Sequence, residues 1–263
     1  MRELWIKVDP CLPQSEKREL LKQTSSFSSA FIVEPEDAEL ARKSGAKTIV
    51  CTSETGDIML AENLEDIGKA RKKGKEACIL VTVKSKGDDK KIATAVEASA
   101  DYVVALCPDW KVIPLENLIA EIHGKTKLLA IVASSQEARI ALETLETGVD
   151  GVVADVSDVD EITKINETVK AVRTRVAEIE SAEKIELVPA RVTEMKPLGL
   201  GARVCIDTCD LMKEGEGLLV GCQSLGLFLI EAEVHETPFV APRPFRVNAG
   251  SISLYVLAPE GKT

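Results

Sequence analysis

The amino-acid sequence predicts a (β/α)8 TIM-like barrel over residues 1–183, followed by a small all-β domain over residues 184–263. Compact runs of Val, Ile and Leu recur eight times before residue 155, and helical segments follow most of them. Such runs are typical of parallel strands that are covered on both faces. From Lys184 onward, glycine and proline interrupt short β-like runs, which predicts the second domain.

The eight barrel strands are expected at 4–8, 30–33, 48–51, 57–60, 78–83, 102–106, 128–133 and 151–154. The helices between them have recognisable ends. Pro114 marks a first helical turn, and Gly124 lies just past the end of that helix. Ser134 and Glu137 have the spacing of a capping box. The connection 52–56 is too short for a helix, so a doubly wound sheet with a hairpin there is the alternative fold.

The last barrel helix is predicted from an apolar stripe at helical spacing that begins at Val159. The strands of the all-β domain are expected at 186–192, 204–207, 217–220, 228–233 and 253–257. The segment from Arg243 to Arg246 is interpreted as a proline-stiffened loop between the last two of them.

Composition and charge exclude several classes of function. A net charge of −10 argues against a nucleic acid or an anionic membrane as partner, because both need a basic face. The start of the chain is strand-like and has no signal-peptide pattern. Seven cysteines at irregular spacing indicate reduced thiols and a cytoplasmic protein. Cys205 and Cys209 lack a second ligand pair, so no metal site is predicted.

The carboxyl ends of barrel strands are where TIM barrels carry catalytic groups. Lys7 and Lys84 stand at the ends of the first and fifth predicted strands, and Asp109 follows the sixth. Burial lowers the pKa of a lysine, which is how the amine becomes a base or a Schiff-base nucleophile. The plainer alternative is a lysine whose ammonium reaches water at the rim.

Two further groups of polar residues are candidates for binding. Glu116 and Asn117 lie in the first turn of the helix that opens at Pro114, where the helix dipole favours a carboxylate. Ordinary capping is the alternative for them. Arg243 and Arg246 flank a Pro-Phe pair, and two guanidinium groups there suit a carboxylate or a pyrophosphate. A surface turn with solvated arginines is the alternative.

The stretch 199–250 contains the blocks RVCIDTC, GEGLLVG, GLFLI and PFRVNAG, and 109–120 and 141–146 supply two more. In these blocks the chain resembles the archaeal, NAD-dependent type II 3-dehydroquinate synthases. The resemblance implies site roles for Asp207 and Asn248, which lie within the blocks, and strengthens those of the residues above. Family members extend further, so we expect this chain to be truncated at its C-terminus.

The resemblance implies NAD as cofactor and a small-molecule substrate, 2-amino-3,7-dideoxy-D-threo-hept-6-ulosonate, which is oxidatively deaminated and cyclised to 3-dehydroquinate. The sequence has no GxGxxG between a strand and a helix. The glycines at 199–201 and 215–221 lead into strands and are interpreted as turn residues, so NAD is expected to bind outside a Rossmann unit.

Two other readings of the function remain open. A Schiff-base aldolase barrel would need a lysine but no NAD. A catalytically inactive β/α subunit would need neither. Assembly into a homo-oligomer is also left open by the sequence.

Overall fold

The computed structural model describes residues 2–83, 89–107, 115–145, 147–175, 185–197, 199–222, 225–236 and 241–258. The chain divides into two compact units, residues 1–174 and 175–263. The predicted boundary between Glu183 and Lys184 lies outside the described residues.

The first unit is a closed barrel whose described part contains eight strands, all paired in parallel. They are β1 (Glu3–Lys7), β2 (Ala30–Ile32), β3 (Ile49–Cys51), β4 (Ile58–Ala61), β5 (Glu76–Thr82), β6 (Tyr102–Leu106), β7 (Lys127–Val132) and β8 (Gly151–Ala154). The barrel closes where β1 pairs with β8, with Trp5 opposite Val153. The predicted TIM-like barrel is confirmed, and the doubly wound alternative is wrong.

The short connection between β3 and β4 does not form a hairpin, because the two strands are parallel. Val50 pairs with Ile58 in parallel, so the chain returns to the same height within a few residues. The return is possible because β3 is short and the turn is tight. A Cβ atom on Gly56 would lie 2.9 Å from the Cys51 Sγ and 3.0 Å from the Ile58 carbonyl oxygen. The Asp57 carboxylate accepts a hydrogen bond from the Ile49 N–H at 2.8 Å and fixes the register.

Helices surround the barrel. They are α1 (Gln14–Thr24), α2 (Ala38–Lys43), α3 (Leu64–Lys72), α4 (Asp89–Glu97), α5 (Leu115–Ile122), α6 (Ser135–Glu143) and α7 (Val159–Arg175), with a 3-10 turn at Pro35–Asp37. Ser134 caps α6 by accepting from the Glu137 N–H at 3.2 Å, as the sequence predicts. Gly124, after α5, has a φ of 74°, which suits a glycine past a helix end. Pro114 lies outside the described residues.

The barrel interior is filled by alternate strand residues, among them Trp5, Tyr102 and Val153. The rings of Trp5 and Tyr102 have centroids 4.8 Å apart. Strand side chains alternate between faces, so Lys7 lies on the same face of β1 as Trp5. Asp155 follows Val153 by two positions on the β8 side. The interior pattern therefore leads to these two charged residues at the carboxyl end of the barrel.

The same aspartate-to-backbone hydrogen bond is found at three places at the amino end of the barrel. Asp57, Asp101 and Asp150 each directly precede an even-numbered strand. Each carboxylate accepts a hydrogen bond, at 2.8–2.9 Å, from a backbone N–H near the start of the preceding odd strand. These bonds satisfy strand-end donors and tie neighbouring strands in pairs, which places structural groups at this end and leaves the carboxyl end for function.

The second unit contains, in its described part, a five-stranded sheet in the order β13-β10-β11-β12-β9, antiparallel throughout. The strands are β9 (Arg203–Asp207), β10 (Gly217–Cys222), β11 (Gly226–Glu233), β12 (Arg243–Ser251) and β13 (Tyr255–Val256). The predicted all-β character is confirmed. Residues 185–192 form no strand and are exposed, so the strand predicted at 186–192 is wrong.

The interpretation of Arg243 to Arg246 as a loop is also wrong, because both lie in β12. Pro244 is tolerated there by a register shift. Glu233 pairs with Arg243, whereas Ala232, the residue before it in β11, pairs with Val247. Pro244 falls within this irregular stretch, where a missing N–H costs no ladder bond.

Candidate functional site

A charged pair marks the carboxyl end of the barrel. The Lys7 Nζ donates to the Asp155 Oδ2 at 2.8 Å across the seam between β1 and β8. The two side chains are 34% and 36% exposed, so the pair faces the open mouth of the barrel. Lys7 is thus neither deeply buried nor isolated: its amine is held by one carboxylate and remains accessible to a small molecule.

A cleft of about 510 Å³ opens beside this pair. It is lined by the carboxyl ends of β6 and β7, the first turn of α5, part of α6, and Asp155. Glu116 lines it and is half-buried, whereas Asn117, next along α5, is exposed. The structure therefore brings Glu116 and Asp155 to one cleft, with Lys7 bound to Asp155. Much of the wall is apolar, including Leu106 and Ile131, as expected of a small-molecule site.

Acidic side chains close the two helix N-termini that follow β7 and β8. The Ser135 N–H, at the start of α6, donates to the Glu161 Oε1 at 2.7 Å. The Ala133 N–H, just before it, donates to the Glu137 Oε2 at 2.8 Å. At the start of α7 the Asp158 Oδ1 accepts from the backbone N–H two residues on, at 3.0 Å. The bond from Ser135 is the main reason that the pKa of Glu161 lies below its ordinary value.

Two of the candidates predicted from sequence, Lys84 and Asp109, lie outside the described residues. β5 ends at Thr82, two residues before Lys84, and Cys107 follows β6, two residues before Asp109. Both remain candidates on the strength of the sequence.

The remaining candidates belong to the second unit. The Arg246 guanidinium forms two parallel bonds to the Asp207 carboxylate, Nε to Oδ1 at 2.6 Å and Nη2 to Oδ2 at 2.7 Å. The bond to Arg246 holds the pKa of Asp207 below its ordinary value. Asn248 pairs in register with Cys205. These two residues are two positions along their strands from Arg246 and Asp207, so they lie on the same face of the sheet as that ion pair. The Arg243 Nη1 lies 4.0 Å from the Glu233 Oε2, so this guanidinium is held less closely than that of Arg246.

The glycines of the second unit serve the sheet. A Cβ on Gly217 would lie 1.9 Å from the Ile230 carbonyl oxygen, and one on Gly221 would lie 2.4 Å from the Gly226 carbonyl oxygen. These glycines let β10 and β11 approach each other, so neither needs a phosphate to explain it. In the same unit Arg243 and the paired Arg246, both in β12, supply cationic donors whose chemistry fits an anionic group such as a pyrophosphate.

Glu137 and Glu161 were not predicted as site residues, and Asp155, although it follows the eighth predicted strand, was not paired with Lys7. Asp155 stands directly after the eighth apolar run, just as Lys7 stands at the end of the first, and this symmetry was the available signal. Within the described residues no group of three or more His, Cys, Asp or Glu side chains is arranged to hold a metal ion. None of the described helices is long and apolar enough to cross a membrane.

A closed parallel barrel with charged groups gathered at its carboxyl end defines the TIM-barrel class of enzymes. Solved structures bear out the fold. N-(5'-phosphoribosyl)anthranilate isomerase from Pyrococcus furiosus has a TM-score of 0.50 at 14% identity, covering 65% of this chain and 100% of its own. 3-Hexulose-6-phosphate synthase from Salmonella typhimurium gives a TM-score of 0.50 at 14% identity, covering 65% of this chain and 99% of its own.

The chain belongs to the 3-dehydroquinate synthase II family. The N-terminal domain model of that family matches residues 1–169, and its C-terminal domain model matches residues 189–263. A 3-dehydroquinate synthase of Methanopyrus kandleri is 42% identical over 99% of this chain and 67% of its own length. That of Methanocaldococcus jannaschii is 37% identical over 98% of this chain and 71% of its own length. The resemblance found in the sequence blocks is confirmed.

Proposed function

We propose that this protein is a 3-dehydroquinate synthase of the NAD-dependent type, acting in the route to aromatic amino acids. Its substrate is 2-amino-3,7-dideoxy-D-threo-hept-6-ulosonate, and the reaction is oxidative deamination followed by ring closure. The observation that carries the proposal is the match of one family domain to each structural unit, at residues 1–169 and 189–263.

NAD, when bound, supplies the acceptor for the hydride that leaves the amine-bearing carbon. The donor chemistry of the second unit supports an anionic cofactor. Arg243 and Arg246 both provide guanidinium groups from β12, and the fork of Arg246 is engaged by Asp207. Guanidinium donors bind phosphate oxygens without the glycine loop of a Rossmann unit.

The barrel supplies the groups that move protons. The Lys7 Nζ lies 2.8 Å from the Asp155 Oδ2 at the barrel mouth, and Lys7 is proposed as the reacting amine. That amine then acts as a base toward the carbon next to the ketone, or attacks the ketone to form an imine with loss of water. Lys84, which follows β5, is the other lysine proposed for this role.

The cleft beside Lys7 suits the substrate. Glu116 and Asp155 present carboxylates to it, and these groups complement the substrate ammonium and accept its proton. Asp109 is proposed to assist from the chain that follows β6, and Asn117, at the surface of α5, to contact the ligand. Asn248 and Asp207 are proposed to orient ligand groups in the second unit. The cytoplasmic location and homo-oligomeric assembly remain predictions.

Product analysis with and without NAD tests the proposal. The purified protein is incubated with the substrate and NAD, and 3-dehydroquinate is detected by mass spectrometry while NADH is followed by absorbance. We expect both products, and neither when NAD is omitted. Carbon–carbon bond formation without NAD would support a Schiff-base aldolase instead. A folded protein that shows neither a thermal shift with NAD nor turnover would indicate an inactive subunit.

A further inference from the structure

The loops after β7 and β8 are where TIM barrels commonly bind phosphate, using the N-termini of the adjoining helices. In this chain that place is filled by the protein's own carboxylates. The Ser135 N–H that opens α6 is bonded to Glu161, and the Ala133 N–H before it is bonded to Glu137. The start of α7 is bonded to Asp158.

The charges around this place oppose an anion. Glu137, Asp155, Asp158 and Glu161 all lie in or beside the β7 and β8 exits. Asp155 is neutralised by Lys7, and Glu161 is bonded to Lys164 at a longer 3.3 Å. A phosphoryl dianion entering here would have to displace the Glu161 carboxylate from Ser135 and would then face the remaining carboxylates at close range.

We propose that Glu161, supported by Glu137, is a specificity residue that excludes phosphorylated ligands from this end of the barrel mouth. A carboxylate built into the chain takes the place of the ligand's phosphate, so the barrel accepts a sugar acid whose far end is neutral or cationic. As a statement about the substrate, this inference rests on the proposed function. As a statement about binding, it is tested without substrate or cofactor.

Inorganic phosphate is the probe. The protein is labelled with ¹⁵N and titrated with phosphate at constant ionic strength, and the chemical shift of the Ser135 amide reports occupancy of the α6 N-terminus. Wild-type protein is expected to show no saturable shift of this amide. Glu161→Ala removes the carboxylate and vacates the amide, so a saturable shift of the Ser135 amide with phosphate is expected in this variant.

Two variants separate occupancy from charge. Glu161→Gln removes the charge but keeps an oxygen that accepts from Ser135, so its gain should be smaller than that of Glu161→Ala. Glu167→Gln removes an exposed charge from the same helix without touching the amide, and should behave as wild type. Thermal melting confirms that each variant is folded.

Saturable binding of phosphate at Ser135 in the wild-type protein would overturn the proposal. So would a Glu161→Ala protein that is folded and gains no affinity. If Glu161→Ala does not fold, the comparison of Glu161→Gln with Glu167→Gln decides: equal phosphate affinities refute the role of Glu161. Because no turnover is measured, failure here is separate from failure of the proposed reaction.

Discussion

Replacing Asp155 with asparagine tests the pair at the barrel mouth. The variant keeps the size of the side chain and an oxygen that can accept from the Lys7 Nζ, but it removes the carboxylate that would take the proton. If the pair serves catalysis, turnover should fall far more than stability. If the pair only joins β1 to β8, stability should fall more than turnover does.

The exposure of the pair sets the expected magnitudes. With side chains 34% and 36% exposed, the ion pair is screened by water, and its loss should cost about 0.2–1 kcal/mol of unfolding free energy. Loss of a proton acceptor in the reaction should lower kcat by at least about a hundredfold, which is about 2.7 kcal/mol of activation free energy.

The assay is steady-state NADH formation, together with urea unfolding of the same protein samples. Asp155→Glu restores the carboxylate and should recover part of kcat, which a purely structural role does not predict. Glu39→Gln breaks an exposed lysine pair on α2 and serves as the control, with kcat and stability both near wild type. Unchanged kcat in Asp155→Asn, or a stability loss that exceeds the loss in activation free energy, would refute the catalytic reading.

Four further substitutions each test a single position. Gly56→Ala places a Cβ 2.9 Å from a sulfur atom and should cost about 1–3 kcal/mol in urea unfolding. By contrast, Gly68→Ala, with open space around it in α3, should stabilise by about 0.5–1 kcal/mol. The bond to Arg246 lowers the pKa of Asp207. The resulting stabilisation of the folded state is complete above the ordinary aspartate pKa and is lost as pH falls through the lowered value. Asp207→Asn should therefore remove this contribution to acid sensitivity, as measured by pH-dependent melting. Lys84→Met should fold and bind NAD but lose at least about a hundredfold in kcat, and normal turnover would assign the role to Lys7.

The barrel was predictable because its strands are buried on both faces. Runs such as 102–106 and 151–154 are apolar throughout, and the structure places strands at those residues. The connection 52–56 suggested a hairpin because parallel neighbours usually need a longer crossover. No hairpin forms because β3 is short and the chain packs closely around Gly56. A pattern of apolar residues reveals neither feature.

The second unit was harder to predict. Pro244 argued against a central strand, yet a local shift of register accommodates it in β12. The apolar alternation at 186–192 is typical of a strand but finds no partner among the described residues. Strand propensity alone does not create a strand without a neighbour to supply its hydrogen bonds.

The candidate site was predicted in part. Lys7 was identified from its place at a strand end, but its pairing with Asp155 was not, because the two residues lie 148 positions apart and meet only when the barrel closes. Arg246 and Asp207 were both candidates, and the structure joins them in a bond that no sequence spacing indicates. Contacts across a closing seam or between antiparallel strands depend on register, which the sequence does not display.

Transfer of a labelled hydride tests the central proposal most directly. The substrate is prepared with deuterium on the amine-bearing carbon and incubated with the protein and NAD. Mass spectrometry then follows the label. We expect one deuterium in NADH for each 3-dehydroquinate formed, with release of one ammonia. Formation of 3-dehydroquinate with the deuterium retained or lost to water, or no product from a folded protein that binds both ligands, would contradict an NAD-dependent synthase.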